Sequence, residues 1–233
     1  MLETLIILTG PAEQPGISRA FQTFNPALTI IAAGSLLDLQ AIPPSVLANA
    51  RLVGFATPVI VPEAILSALG HGAYNFHPGP PEFPGLSPAQ YAIYRGVRHF
   101  GVTAHKMARL VDAGPIVGVT RFEVSPGATV EEVELRSYQE LARLLIRLAP
   151  VLAREPQPLG ELDLAWATEK SSRRTYQQLC AIEAGIEAAE LDRRIAAFGA
   201  GYFGIRPAIT LHGHRFEFVP APPEEPEHRV AAE

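Results

Sequence analysis

An α/β fold with a mostly parallel open sheet, flanking helices and a small C-terminal helix and β-hairpin is expected from two features of this 233-residue chain. Short runs of branched apolar residues alternate with helix-patterned stretches, which is how strand-helix-strand units read in sequence. Apolar residues make up 48% of the chain and charged residues 18%, enough to cover both faces of a sheet and too apolar for a disordered polymer.

Residues 4–9 read TLIILT and stop at Gly10-Pro11, as in a strand buried on both faces. Residues 28–33, 52–56 and 73–76 repeat that pattern in shorter form. Residues 62–69 are the clearest helix between them, because Pro62 and Glu63 suit a first turn and Gly70 suits the stop. Residues 100–107 and 114–122 read as two further strands, joined by a loop containing Val111-Asp112-Ala113-Gly114. Residues 129–153 carry a long helical pattern, with Val130, Val133, Leu135, Leu141, Leu144, Leu145 and Leu148 assigned to one apolar face. Pro156 and Pro158 break the chain. A loop, a helix at 188–198 and a hairpin with arms 208–211 and 215–219 follow. The expected organisation is a main domain over 1–155, a helix-and-hairpin extension over 156–220 packed on it, and a Pro- and Glu-rich mobile tail over 221–233. In a parallel sheet, ligands bind at the loops that follow the strands.

The charge balance limits the partners. Lys and Arg number 19 against 24 Asp and Glu, a formal charge of -5, so a polyanion is repelled on average and nucleic acid is not the expected partner. A single cysteine, Cys180, excludes an internal disulfide and fits a reducing compartment. It reads as a small buried helix position and not as a nucleophile. The N-terminal apolar run is too short for a signal peptide or a membrane helix, so a cytoplasmic protein without membrane contact is expected.

The chemistry concentrates at Asn75-Phe76-His77-Pro78, the end of an expected strand, followed by a proline-rich loop. Asn75 and His77 are two apart, so on an extended segment their side chains leave the same face and can converge on one atom. Together they offer two hydrogen-bond donors, which suits the oxyanion of an acyl transfer. If the two loops emerge at the same sheet edge, Asp112 can reach the imidazole, orient it and favour its protonated form. Taken one at a time, the same residues read as a turn former, a partly buried histidine and the start of an ordinary turn.

With their flanks they resemble the formyltransferase family, which includes glycinamide ribonucleotide, methionyl-tRNA and sugar-nucleotide formyltransferases and formyltetrahydrofolate hydrolases. Asn75 to Pro78 carries the family's Asn-x-His-Pro, Gly85 and Pro88 its Gly-x-x-Pro, and Gly101-Val102-Thr103 with His105 and Met107 its next strand. Asp112-Ala113-Gly114-Pro115-Ile116 is similar to its aspartate loop. The resemblance runs from about residue 52 to residue 122 and implies the fold named above.

It also implies a reaction: transfer of a formyl group from 10-formyltetrahydrofolate to an amine of a small molecule, with an amino sugar or sugar nucleotide as the favoured acceptor. Asn75 and His77 would hold the formyl oxygen, and Asp112 would pair with His77 and assist proton transfer through water. The folate would lie along Val59, Ile60, Val61 and Pro62 and along Ala108, Arg109, Leu110 and Val111. Gly79, Glu82, Phe83 and Gly85 would form the substrate loop, and no metal is required. The loop is about one residue shorter than in relatives, and Pro84 stands where many carry Arg or Lys. Only 74 residues precede Asn75, which leads us to expect one strand and helix fewer than in purine-pathway relatives and no Gly-rich phosphate loop. The segment after Pro158 is too short for the barrel of tRNA-formylating relatives. The rival expectations are a formyltetrahydrofolate hydrolase and a non-catalytic folate-binding homologue; a homodimer is left open.

Two further motifs are set aside. Residues 199–204 match a dinucleotide fingerprint in letters but follow a helix instead of a strand. His212-Gly213-His214 reads as a hairpin turn without a third metal ligand. His105 reads as a residue supporting the site more than one facing it.

Overall fold

The computed structural model describes residues 2–220; the stretch 221–233, expected to be a tail, lies outside them. The chain divides after Ser172 into two compact units. The first contains β1 (Thr4–Leu8), α1 (Gln14–Phe24), β2 (Thr29–Ala33), α2 (Leu36–Gln40), α3 (Pro44–Leu47), β3 (Ala50–Phe55), α4 (Glu63–Ala68), β4 (Ala73–His77), α5 (Pro88–Arg95), β5 (His99–Lys106), β6 (Ile116–Glu123) and α6 (Val130–Arg154). Its six-stranded sheet has the order β2-β1-β3-β4-β5-β6. The first four strands run parallel, whereas β5 is antiparallel to both neighbours. The order changes direction at β1, which pairs with both β2 and β3. The crevice outside the carboxyl ends of β1 and β3 is where an open sheet of this class takes ligands. Thr9 Oγ1 donates to the Phe55 carbonyl at 2.9 Å and joins those two ends.

Strand alternation separates two cores. Leu5 and Ile7 of β1, Val53 and Phe55 of β3, Tyr74 and Phe76 of β4, and Val102 and Ala104 of β5 face α1 and α6. Ile6 and Leu8, Ala50 and Leu52, and Ala73 face α2, α3 and α4. The period of two therefore sends Asn75 and His77 to the face opposite α6. Thr103 and His105 share that face, because Asn75 pairs with His105 and His77 with Thr103 across the antiparallel β4–β5 ladder.

Helix α6 starts on a reciprocal cap: Glu132 N–H donates to Thr129 Oγ1 at 3.3 Å, and Thr129 N–H donates to the Glu132 carboxylate at 2.9 Å. Its buried stripe runs through Val133, Leu141, Leu144, Leu145 and Leu152. Leu135, assigned to that stripe from sequence, is 61% exposed. Two residues past Val133 it lies about 200° around the helix, on the outer side.

The first unit extends past the expected boundary at 155, because residues 156–172 bond repeatedly to it. The fully buried Arg51 guanidinium donates to the carbonyls of His71, Leu152, Pro156 and Gln157. Farther along, Leu159 N–H donates to Tyr74 Oη, Leu162 N–H to the Ile116 carbonyl, Ala167 N–H to that of Pro81 and Ser171 N–H to that of Pro84. The segment is a strap laid over the sheet edge, without regular structure of its own.

The second unit holds α7 (Arg173–Cys180), β7 (Ala181–Ile182), α8 (Ala188–Phe198), β8 (Ala208–Leu211) and β9 (His214–Glu217). Its strands form a three-stranded sheet in the order β7-β8-β9. The Tyr176 ring packs edge-on against Phe198 at 5.0 Å. His212 and Gly213 both have positive φ, 49° and 83°, the mark of a two-residue hairpin turn. Residues 199–204 follow α8 and turn back through a Tyr202–Ile205 bridge, so the strand-turn-helix setting of a dinucleotide site is absent. Cys180 is buried, and burial pushes its thiol up to about 11, against the pull of Arg194 and Arg215; it is unreactive.

Candidate active site

Asn75, His77, His105 and Asp112 meet on one face of the sheet, at the centre of the first unit. Asn75 and His77 come from β4. His105 comes from β5, with a register shift between Ala104 and His105 where β5 meets β6. Asp112 comes from the loop between β5 and β6 and has a positive φ of 42°. Because β5 is antiparallel to β4, this loop starts beside the beginning of β4, not beside its end. The two loops therefore do not leave the same sheet edge, as the sequence reading had supposed. Asp112 reaches His77 because its loop doubles back, closed by Gly114, where a side chain would strike the Lys106 carbonyl.

The Asp112 carboxylate is buried among donors. Oδ2 accepts the Gly85 N–H at 2.8 Å and lies 3.5 Å from His77 Nδ1. Oδ1 lies 3.3 Å from His105 Nε2, an ion-pair distance without hydrogen-bond alignment. Burial alone would push this carboxyl up, but His77, His105 and the Gly85 N–H outweigh it and hold it at about 2. Asp112 is therefore ionised at neutral pH and a weak proton acceptor.

His77 behaves differently from the expectation that Asp112 makes it a cation. Burial lowers its pKa below the ordinary histidine value and outweighs the opposing pull of Asp112 and the Phe83 carbonyl. His105 and Lys170 add to the lowering. The ring is neutral at neutral pH, with Nε2–H donating to the Phe83 carbonyl at 3.0 Å.

The loop after His77 shows how short and glycine-rich it has to be. A side chain at Gly79 would meet His77 Nε2 and Pro88, each at 2.7 Å. The Gly79 carbonyl accepts the Thr103 hydroxyl at 2.8 Å. Glu82 pairs with Arg121 of β6 through two hydrogen bonds, 2.6 and 3.0 Å. The Phe83 ring packs on Phe100, with the Arg95 guanidinium over it. The side chains of Glu82 and Phe83 thus anchor the loop, and its main chain faces the histidine. Gly85 closes it with a φ of 100°.

The two segments expected along a folate follow β3 and β5, the strands on either side of β4. Val61 is buried and Ile60 is 66% exposed; Ala108 and Arg109 are exposed, as are Leu110 and Val111. Three contributors were not read from sequence. Gly54 stands opposite Asn75, and a Cβ there would lie 3.0 Å from Asn75 Oδ1 and 2.7 Å from Met107 Cε. Its signal was a glycine inside a strand, which marks close approach. Trp166, from the strap, sets its indole edge-on to His105 at 5.0 Å and near His77 at 5.8 Å, while Nε1–H donates to the Gly114 carbonyl at 2.9 Å. Lys170, also on the strap, donates its ammonium to the Val111 carbonyl. Neither strap residue has a local pattern that points to the site.

An amide, a neutral imidazole and an ionised carboxylate converging in a buried site beside a sheet crevice define the class: a site that can polarise a carbonyl and steer protons without a covalent nucleophile. Residues 48–148 match the family model described as Formyl transferase, so this segment is similar to that family. The chain is 34% identical over 110 residues to a methionyl-tRNA formyltransferase of Thermotoga neapolitana, 47% of this chain and 35% of that protein. Across the curated relatives the match spans between 35% and 60% of their length. A sugar N-formyltransferase from a Shewanella species superposes with a TM-score of 0.75 at 14% identity, over 93% of this chain and 96% of that one. An N-formyltransferase of Helicobacter canadensis, solved with folinic acid and dTDP-3-aminofucose, gives 0.60 at 11% identity, over 84% and 80%. At those identities the superpositions show the fold. Among the described residues, no helix is long and apolar enough to cross a membrane.

Proposed function

We propose that the chain transfers a formyl group from 10-formyltetrahydrofolate to the amine of a small molecule, with an amino sugar or sugar nucleotide as the favoured acceptor. The observation that carries this reading is the convergence of Asn75, His77 and ionised Asp112, with a buried end of the Asn75 amide left without a partner. An unpartnered polar atom in a buried site calls for a ligand.

Bound 10-formyltetrahydrofolate would supply the formyl carbon and a leaving nitrogen, and a neutral amine would supply the attacking lone pair and the proton that nitrogen takes. The protein's part is electrostatic. The Asn75 amide and the His77 Nε2–H are the donors for a developing oxyanion. The Phe83 carbonyl, 3.0 Å from His77 Nε2, accepts that hydrogen until a stronger acceptor displaces it. Asp112 is too acidic to keep a proton; as an anion 3.5 Å from His77 Nδ1 it guides a water-borne proton between the two nitrogens. Trp166 and the loop after His77 keep bulk water off the donors, which strengthens them. Ile60, Leu110 and Val111 are exposed apolar side chains in the two segments expected along the folate, available to a flat ring. The small-molecule acceptor is favoured by the acidic chain and by the sugar N-formyltransferase neighbours; the methionyl-tRNA relatives keep tRNA as the second acceptor to test.

The test is calorimetry with 5-formyltetrahydrofolate and with NADH, then transfer from 10-formyltetrahydrofolate to amino sugars, nucleotide-linked amino sugars and methionyl-tRNA. Folate binding and formylation of an amino sugar are expected. Asn75→Ala should lower turnover by about a hundred- to a thousandfold with folate affinity retained. Binding of NADH alone would sink the reading. Formate release without an acceptor would make the protein a hydrolase, and formylation of methionyl-tRNA at moderate salt would replace the acceptor class.

A further inference from the structure

Two buried acceptors of the site lack a hydrogen-bond partner, Asn75 Oδ1 and Asp112 Oδ1, and both belong to groups that face His105. The Lys106 carbonyl, an acceptor only, lies 2.8 Å from His105 Nδ1, so that nitrogen carries a hydrogen. What Nε2 carries decides the rest. A lone pair there would accept from Asn75 Nδ2 at 3.3 Å, but it would also face the Asp112 carboxylate at 3.3 Å and leave both acceptors unsatisfied. A hydrogen there points at the Asn75 amide, with the anionic Asp112 Oδ1 beside it at 3.3 Å. It also requires the Asn75 amide to present its oxygen, which is reached by a half-turn that exchanges two atoms of nearly equal size.

We infer that His105 is a positioning residue: carrying a hydrogen on both ring nitrogens, it holds Asn75 Oδ1 and so aims the Asn75 NH2 into the site. The unpartnered atom of the amide is then a donor, the polarity a carbonyl oxygen requires. His105 becomes the cationic partner of Asp112, and its charge is among the influences that keep His77 neutral. The charged and titratable groups around the ring are Asp112 from the loop after β5 and, beyond it, His77 from β4 and Lys170 from the strap. Trp166 covers its edge. Gly54, without a Cβ, lets the Asn75 amide and Met107 pack close against β3. The purpose assigned to this arrangement rests on the formyl-transfer reading; the arrangement itself does not.

Neutron diffraction from deuterated crystals of the full chain reads the geometry directly. Deuterium on His105 Nε2, with the Asn75 deuterons directed away from the ring, is expected. A bare Nε2 that receives the Asn75 ND2 overturns the inference. Kinetics supply the second arm. His105→Leu should lower kcat about thirtyfold with KM for the folate nearly unchanged, and His105→Gln, which keeps a donor, should recover most of that loss. In an Asn75→Ala background, His105→Leu should cost less than about threefold, because the group it positions is gone. Equal losses in both backgrounds overturn the inference. A wild-type protein inactive toward every acceptor overturns the formyl-transfer reading alone, and the neutron map still decides the position of the amide.

Discussion

The carboxylate of Asp112 accepts the main-chain N–H of Gly85 at 2.8 Å, so the loop that carries the aspartate and the loop that follows His77 close on each other. Gly85 can make this bond because its φ of 100° is open to glycine and closed to other residues.

Gly85→Ala should therefore act on stability and chemistry together. A Cβ at this position would strike the Ser171 carbonyl and crowd Lys170 Cγ and Ser171 Oγ, each at 2.9 Å. A loss of about 1–3 kcal/mol is expected in urea unfolding. Turnover of the folded fraction should fall as well, since Asp112 loses a donor. A variant as stable and active as the parent would contradict the closed loop.

Asp112→Asn removes the upward pull of the carboxylate on His77 and leaves burial unopposed by it. The His77 ring should then titrate at still lower pH, and turnover should drop. An NMR titration of the ring Cε1–H checks the sign, and an upward shift would contradict it.

Acid should weaken the fold in two stages. His77 titrates below its ordinary 6.5 in the folded state, so the unfolded chain takes up that proton first and stability declines as the pH falls below 6.5. Asp112 adds stability that is present above its unfolded value of 3.8 and is lost as the pH falls toward about 2. That second contribution is at most about 2 kcal/mol. Urea unfolding at a series of pH values checks both stages, and His77→Gln should flatten the first.

Arg51 is a stability residue far from the chemistry. Its guanidinium ties β3 to the end of α6 and to the start of the strap through four carbonyls. Arg51→Ala leaves those carbonyls unsatisfied above a cavity and should cost about 3–5 kcal/mol. Trp166 is the only tryptophan of the chain, so its fluorescence can follow release of the strap while circular dichroism follows the sheet. Unchanged stability would show that the carbonyls find other donors.

Much of the framework was legible in local sequence. The strands at 4–8, 29–33 and 99–106, the helix at 63–68 and the one at 188–198 stand within two residues of their expected places. All but the strand at 99–106 have an apolar run or stripe bounded by Gly or Pro. Asn75, His77 and Asp112 were legible as candidates, and the structure brings them together. His105 was read as a supporting residue, but its partner across β4 was not, because a single strand does not specify its neighbour's direction. Trp166 was missed altogether: it belongs to a strap without periodicity, and only hydrogen bonds to distant carbonyls and N–H groups define its path.

By itself the sequence determined the alternation that puts Asn75 and His77 on one face, because the period of two belongs to any extended chain. It also determined the glycines that let the loops pass close to the site. Only the tertiary structure decided that β5 runs antiparallel and sets His105 opposite Asn75, and that the Asp112 loop doubles back to Gly85. It alone decided that His77 is neutral. Strand direction follows from long-range packing, and the charge of a buried ring follows from the balance between its desolvation and every charge around it, neither of which a local pattern contains.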